Sequence, residues 1–168
     1  MIKKRLQVLA VLAAMIATLL FFMAEQWAAA GASLLFTLFL VYGLYRFGPV
    51  QHALRHLYRG DPEKCEAELK KIPSADKLRK EDRAYYYFCK AYLSSSAGKI
   101  GAAQKSFEQA LQAGLSLAND RAVAHVSLAD IFLKKGQKEK ALAHLAEAKK
   151  LKHNKVVEEA IQKLEKRL

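Results

Sequence analysis

The chain is poor in the residues that most often carry chemistry or crosslinks. Its 168 residues include two cysteines, three prolines and one tryptophan. Cys65 and Cys89 have neither metal-binding spacing nor a disulfide framework. No phosphate-cradling glycine loop, nucleophile motif or zinc signature is present. Acidic residues are also scarce, 16 against 28 Lys and Arg, a net charge of +12. These absences argue against an enzyme, and no cofactor or metal is expected. The basic excess suits an acidic protein partner, an anionic membrane surface or nucleic acid, and does not choose among them.

Residues 1–47 are overwhelmingly apolar, whereas 48–168 are charged and rich in helix formers. Setting aside Lys3, Lys4, Arg5 and Glu25 leaves 25 basic and 15 acidic residues from Arg46 onward. Leu6–Ala24 and Ala28–Tyr45 are two uncharged stretches, each near the length of a bilayer core. One helix through both would be about 60 Å long, twice what a bilayer needs. The pattern therefore predicts a transmembrane helical hairpin with spans about 6–24 and 28–45, turning at Glu25-Gln26-Trp27. Trp27, Tyr42 and Tyr45 fall near the expected ends, where amphipathic rings prefer to sit. The small residues of "AAAGAS" would let two helices approach closely. Basic flanks at both outer ends predict cytoplasmic termini in a bacterial inner membrane. A cleaved signal peptide or a single span are the rivals, but an apolar signal core is usually about 7–15 residues. Lys3, Lys4, Arg5, Arg46, Arg55 and Arg59 are the expected contacts to lipid headgroups, each worth up to about 1 kcal/mol.

The charged part repeats itself. "YYFCKAYLSSSAGKIGAAQKSFEQAL" from Tyr86 aligns with "HVSLADIFLKKGQKEKALAHLAEAK" from His125. Gly98, Ala103, Phe107 and Ala110 correspond to Gly136, Ala141, Leu145 and Ala148. A weaker copy, "YRGDPEKCEAELKKIP", contributes Gly60, Cys65 and Leu69. A small residue lets antiparallel helices touch, and the large residue four positions later fills the groove. One helical pair cannot bury its apolar face, so neighbours must stack. Helices are expected near 50–59, 62–72, 79–96, 99–113, 120–135, 138–150 and 154–167. In the last, Val157, Ala160, Ile161, Leu164 and Leu168 form one apolar stripe behind the N-cap Asn154. That helix is expected to cap the stack.

These motifs resemble the tetratricopeptide repeat family over roughly residues 50–152. Leu128, Ala129 and Phe132 match the family's first-helix pattern, and Tyr85, Phe88, Cys89 and Tyr92 match it with two extra residues in "SSSAG". The repeat spacing of 38 exceeds the family's 34. The overall plan loosely resembles the HemY-like group of bacterial inner-membrane repeat proteins. The resulting expectation is an all-α chain: a membrane hairpin, then a short α-solenoid of about three helical pairs and a capping helix. By this resemblance the partner groove is lined by Arg83, Tyr86, Lys90, Leu93, Val126, Asp130 and Leu133. The Lys-Asn pattern with which such repeats grip a chaperone's terminal carboxylate is missing. The expected function is a non-catalytic adaptor or scaffold for a protein or peptide partner bearing acidic residues. Nucleic acid or anionic lipid ranks second, because the basic residues are scattered among acids. A non-catalytic subunit or assembly factor of an enzyme complex ranks third. Small-residue helix faces and an open solenoid also permit a homo-oligomer.

His52 and His56 lie four apart on one helix with no acidic or Cys ligand beside them, and read as part of a basic surface. Cys65 and Cys89 read as small packing residues. The aromatic run "RAYYYFCKAY" is mostly core by its spacing.

Overall fold

The computed structural model describes the backbone of residues 2–46 and 48–168, and the side chains of residues 9–42 and 48–168. Among these, every element is helical. The chain divides into two compact units, Met1–Gly48 and Pro49–Leu168.

The first unit is a helical hairpin, α1 (Ile2–Met23) and α2 (Trp27–Arg46). Glu25 adopts a left-handed φ of 57° in the turn, and the Gln26 N–H donates to Phe21 O at 3.0 Å. The helices meet through small and hydroxyl-bearing residues. The Thr18 and Ser33 hydroxyls share a 2.9 Å hydrogen bond, and Thr18 and Thr37 donate to the carbonyls of Ala14 and Ser33. Ala30 and Thr37 are buried, while Leu19, Leu20, Leu35 and Phe39 point outward and are well exposed.

Among the described residues, no helix is long and apolar enough to cross a membrane. This corrects the expected transmembrane hairpin, the integral-membrane placement in a bacterial inner membrane, and the cytoplasmic topology drawn from it. The supported statement is a helical hairpin. Lys3, Lys4, Arg5, Tyr45 and Arg46 lie outside the described side chains. Arg55 and Arg59 are exposed near the end of α3, but their juxtamembrane role loses its premise.

The second unit contains α3 (Pro49–Tyr58), α4 (Pro62–Leu69), α5 (Lys80–Ser96), α6 (Ile100–Ala113), α7 (Ala118–Lys134), α8 (Lys138–Lys150) and α9 (Lys155–Glu165). Three helical pairs turn at Gly60, Gly98 and Gly136, spaced 38 residues apart, with φ of 72°, 71° and 72°. A side chain would be strained at that φ, so glycine is required. The second helix of each pair buries a small residue fully, at Cys65, Ala103 and Ala141. Four residues later a large one is buried, at Leu69, Phe107 and Leu145. Phe88 meets Phe107 edge-on, with centroids 6.2 Å apart. Pairs α3–α4, α5–α6 and α7–α8 stack through α3–α5, α4–α5 and α6–α7 contacts, giving solenoid-like packing. Beyond them α9 lays Val157, Ile161 and Leu164 against α7 and α8.

One element departs from expectation. Helix α4 begins cleanly: Asp61 accepts a hydrogen bond from the Lys64 N–H, and Pro62 occupies the first turn. It ends at Leu69, not near 72. Pro73 has no N–H to continue a helix and disfavours helical backbone in the preceding residue. A single 3₁₀ turn, Ala75–Lys77, capped by Ser74, fills the connection to α5.

Candidate functional site

Because α4 is only 8 residues long against 14 for α6, it leaves part of α5 uncovered. A furrow of about 580 Å³ opens between them. Pro62, Glu66, Leu69 and Lys70 line one wall, successive positions along one face of α4. Tyr86, Lys90, Leu93 and Ser94 line the other, along one face of α5. Leu69, Ile72, Tyr86 and Leu93 make its apolar surface, and Lys70, Lys90 and Lys99 supply basic groups. Two acids share the rim, and Glu66 is paired with Lys70 at 2.9 Å. That exposed pair holds the Glu66 carboxyl below its ordinary value, first through its hydrogen bond to Lys70.

The expected groove residues do not form one surface. Tyr86, Lys90 and Leu93 are together in the furrow. Arg83 lies in a neighbouring depression of about 460 Å³, with Asp76, Lys80, Tyr87, Gln109 and Gln112. Its guanidinium donates to Leu78 O at 3.4 Å, and its Nε is buried without a partner. Tyr86 and Tyr87 pack edge to face, with centroids 5.5 Å apart. On α7, Val126 and Leu133 pack against the core. Asp130 is engaged by Lys134 at 2.6 Å and by Arg167 at 3.0 Å. Of the α7 members, Asp130 is thus engaged within the fold, by its own helix and by the C-terminal Arg167.

Several polar contacts escaped the sequence reading. Tyr58 on α3 donates to buried Asp120 on α7 at 2.8 Å. Burial, then this hydrogen bond, drives the Tyr58 phenol well above its ordinary range. Beside it, the Tyr85 hydroxyl bonds Ser116 at 2.9 Å and accepts from the Leu117 N–H at 3.3 Å. The partners are 62 and 31 residues apart, and no periodicity links them. Cys65 and Cys89 are both free and fully buried. Their thiols interact, and Cys89 is pushed far up by its contact with Cys65 and by burial. Neither is placed to act as a nucleophile. Among the described residues, no group of three or more His, Cys, Asp or Glu is arranged to hold a metal ion.

Compared with family models, curated proteins and solved structures, the chain matches none. The resemblance to tetratricopeptide repeats and to the HemY-like group therefore gains no support there. The supported description is all-α, with solenoid-like packing of helical pairs.

Proposed function

We propose that residues 49–168 form a helical-repeat adaptor that holds a peptide segment of another protein in the α4–α5 furrow, without catalysis of its own. The observation that carries this reading is the early end of α4, which leaves Tyr86, Lys90 and Leu93 accessible along one face of α5. An apolar floor rimmed by lysines complements an amphipathic segment that carries acidic residues. Lys90 and Lys99 supply the attraction, because Lys70 is already paired with Glu66. The module would act by raising the local concentration of its partner.

A photo-crosslinker at Ser94 tests this directly. The expected result is crosslinking to an acidic segment of one protein, with loss of that adduct on Lys90→Glu or Leu93→Glu and no change in thermal midpoint. Binding that survives both substitutions but falls steeply with salt would instead favour the basic surface as a site for nucleic acid or anionic lipid.

A further inference from the structure

His125 of α7 and His144 of α8 meet across the last helical pair, with their Nδ1 atoms 3.0 Å apart. Their ring centroids are 5.3 Å apart and the planes are tilted by 40°. His144 is stacked on Phe132 at 5.3 Å and 11°, which fixes the plane of its ring. Both imidazoles are half-buried and remain open to solvent. Burial holds both below the ordinary histidine value, and His144 lowers His125 further. Glu147 acts on both in the opposite sense, and Glu108 of α6 does so on His144. Lys140 stands over the Phe132 ring at 5.5 Å, and Lys135 is held by Gln104.

Two neutral imidazoles at this separation share one proton. One ring donates its Nδ1–H, and the other accepts on its Nδ1 lone pair. Once that proton has moved, a cation to one side of this contact can engage both Nδ1 lone pairs. We infer that His125 and His144 form a two-histidine site for a divalent transition metal that favours right-angle coordination, Cu²⁺ or Ni²⁺.

The argument is one of bite distance. With metal–nitrogen bonds of about 2.0–2.1 Å, two ligands at 90° lie about 2.8–3.0 Å apart, and at a tetrahedral angle about 3.3–3.4 Å. The observed 3.0 Å fits the first. The rings come from two packed helices and the His144 plane is held by Phe132, so binding needs only that the rings turn until both Nδ1 lone pairs point to one spot beside the line that joins them. Water completes the coordination; Glu108 and Glu147 lie within electrostatic reach of the pair, and Glu147 is itself paired with Lys150 at 2.6 Å. On binding, the ring that carried Nδ1–H transfers that proton to its own Nε2. Neutral pairs thus release no proton, and each histidine protonated at lower pH must lose one. This site lies apart from the α4–α5 furrow and does not depend on the function proposed for it.

Copper titration of the full, untagged chain tests the site, with His52→Gln and His56→Gln introduced to remove the other close histidine pair. We expect one Cu²⁺ per chain and two coordinated imidazoles by pulsed electron paramagnetic resonance. Affinity should drop at least tenfold from pH 7 to pH 5. His125→Gln or His144→Gln should leave one imidazole, and His153→Gln should leave two. Ni²⁺ should bind at least tenfold more tightly than Zn²⁺. A count of one or none with His125 and His144 intact overturns the site, and this readout stands even if the single variants fail to fold. Zn²⁺ binding as tight as Ni²⁺ overturns the right-angle geometry.

Discussion

The two ends of the repeat unit are built from the same helical pair and finish differently. At the N-terminal end, α4 stops at Leu69 and leaves a face of α5 open. At the C-terminal end, α9 covers α7 and α8, and the last residues are tied down. Arg167 reaches Asp130, and the Lys138 ammonium donates to Leu168 O at 2.5 Å. A stacked helical pair always leaves one apolar face to its neighbour. Whether that face becomes a packed end or an accessible furrow depends here on the length of one helix and the presence of a cap.

Substitutions can separate the two ends. The largest loss is expected where both depend on the same packing. Phe107→Ala empties a fully buried site between α5 and α6 and should cost about 3–5 kcal/mol in denaturant unfolding. It should destabilise the whole unit in one transition, and a separate early transition would mean that the ends fold independently. Next is Tyr58→Phe, which removes the hydroxyl that bonds the buried Asp120 carboxylate. About 1–3 kcal/mol should be lost, with hydrogen exchange rising first in α3 and α4. Asn154→Ala removes the oxygen that accepts the Val157 N–H at 3.1 Å. That should cost about 1 kcal/mol and loosen α9, leaving exchange in α4 unchanged. Arg167→Ala removes a half-exposed pair with Asp130 and should cost under about 1 kcal/mol at low salt and less at high salt.

Acid should give the smallest change, because His125 and His144 are only half-buried and the Glu158 that pairs with His153 is exposed to solvent, which screens it. His125 and His144 are held below the ordinary value of about 6.5. The unfolded chain therefore takes up protons first as pH falls, and stability drops from about pH 6.5 downward. His153 works in the other direction, raised first by its hydrogen bond to Glu158. Its contribution is present below pH 6.5 and is lost as pH rises through its folded value. The thermal midpoint of His153→Gln should therefore fall more steeply between pH 7 and pH 5 than that of the parent chain. A shallower fall would reverse the roles assigned to the two sites.

Much of the repeat unit is legible in the sequence, and its gaps have physical causes. The small-then-large pattern at Ala103–Phe107 and Ala141–Leu145 is local to one helix, so it can be read directly. Gly98 and Gly136 mark turns that need a left-handed residue. The end of α4 was misplaced because apolar spacing continues through Ile72, while Pro73 acts on the backbone before it. Along α5, the shared face of Tyr86, Lys90 and Leu93 can be read from helical spacing, and the three line one furrow. Along α7, Asp130 is paired with Lys134 and with Arg167, and the second of these partners is 37 residues away, beyond any local spacing. The apolar run of residues 6–45 suggested two membrane spans. The structure has the hairpin and its turn, and among the described residues no helix is long and apolar enough to cross a membrane.

The sequence by itself determined the all-helical class, the 38-residue period, the turn glycines and the cap at Asn154. Each depends on residues within a few positions of one another. Only the tertiary structure decided which helix faces stay open, that Tyr58 meets Asp120, and that His125 meets His144. Those outcomes depend on the lengths of neighbouring helices and on contacts between side chains 19 to 62 residues apart, which no local spacing encodes.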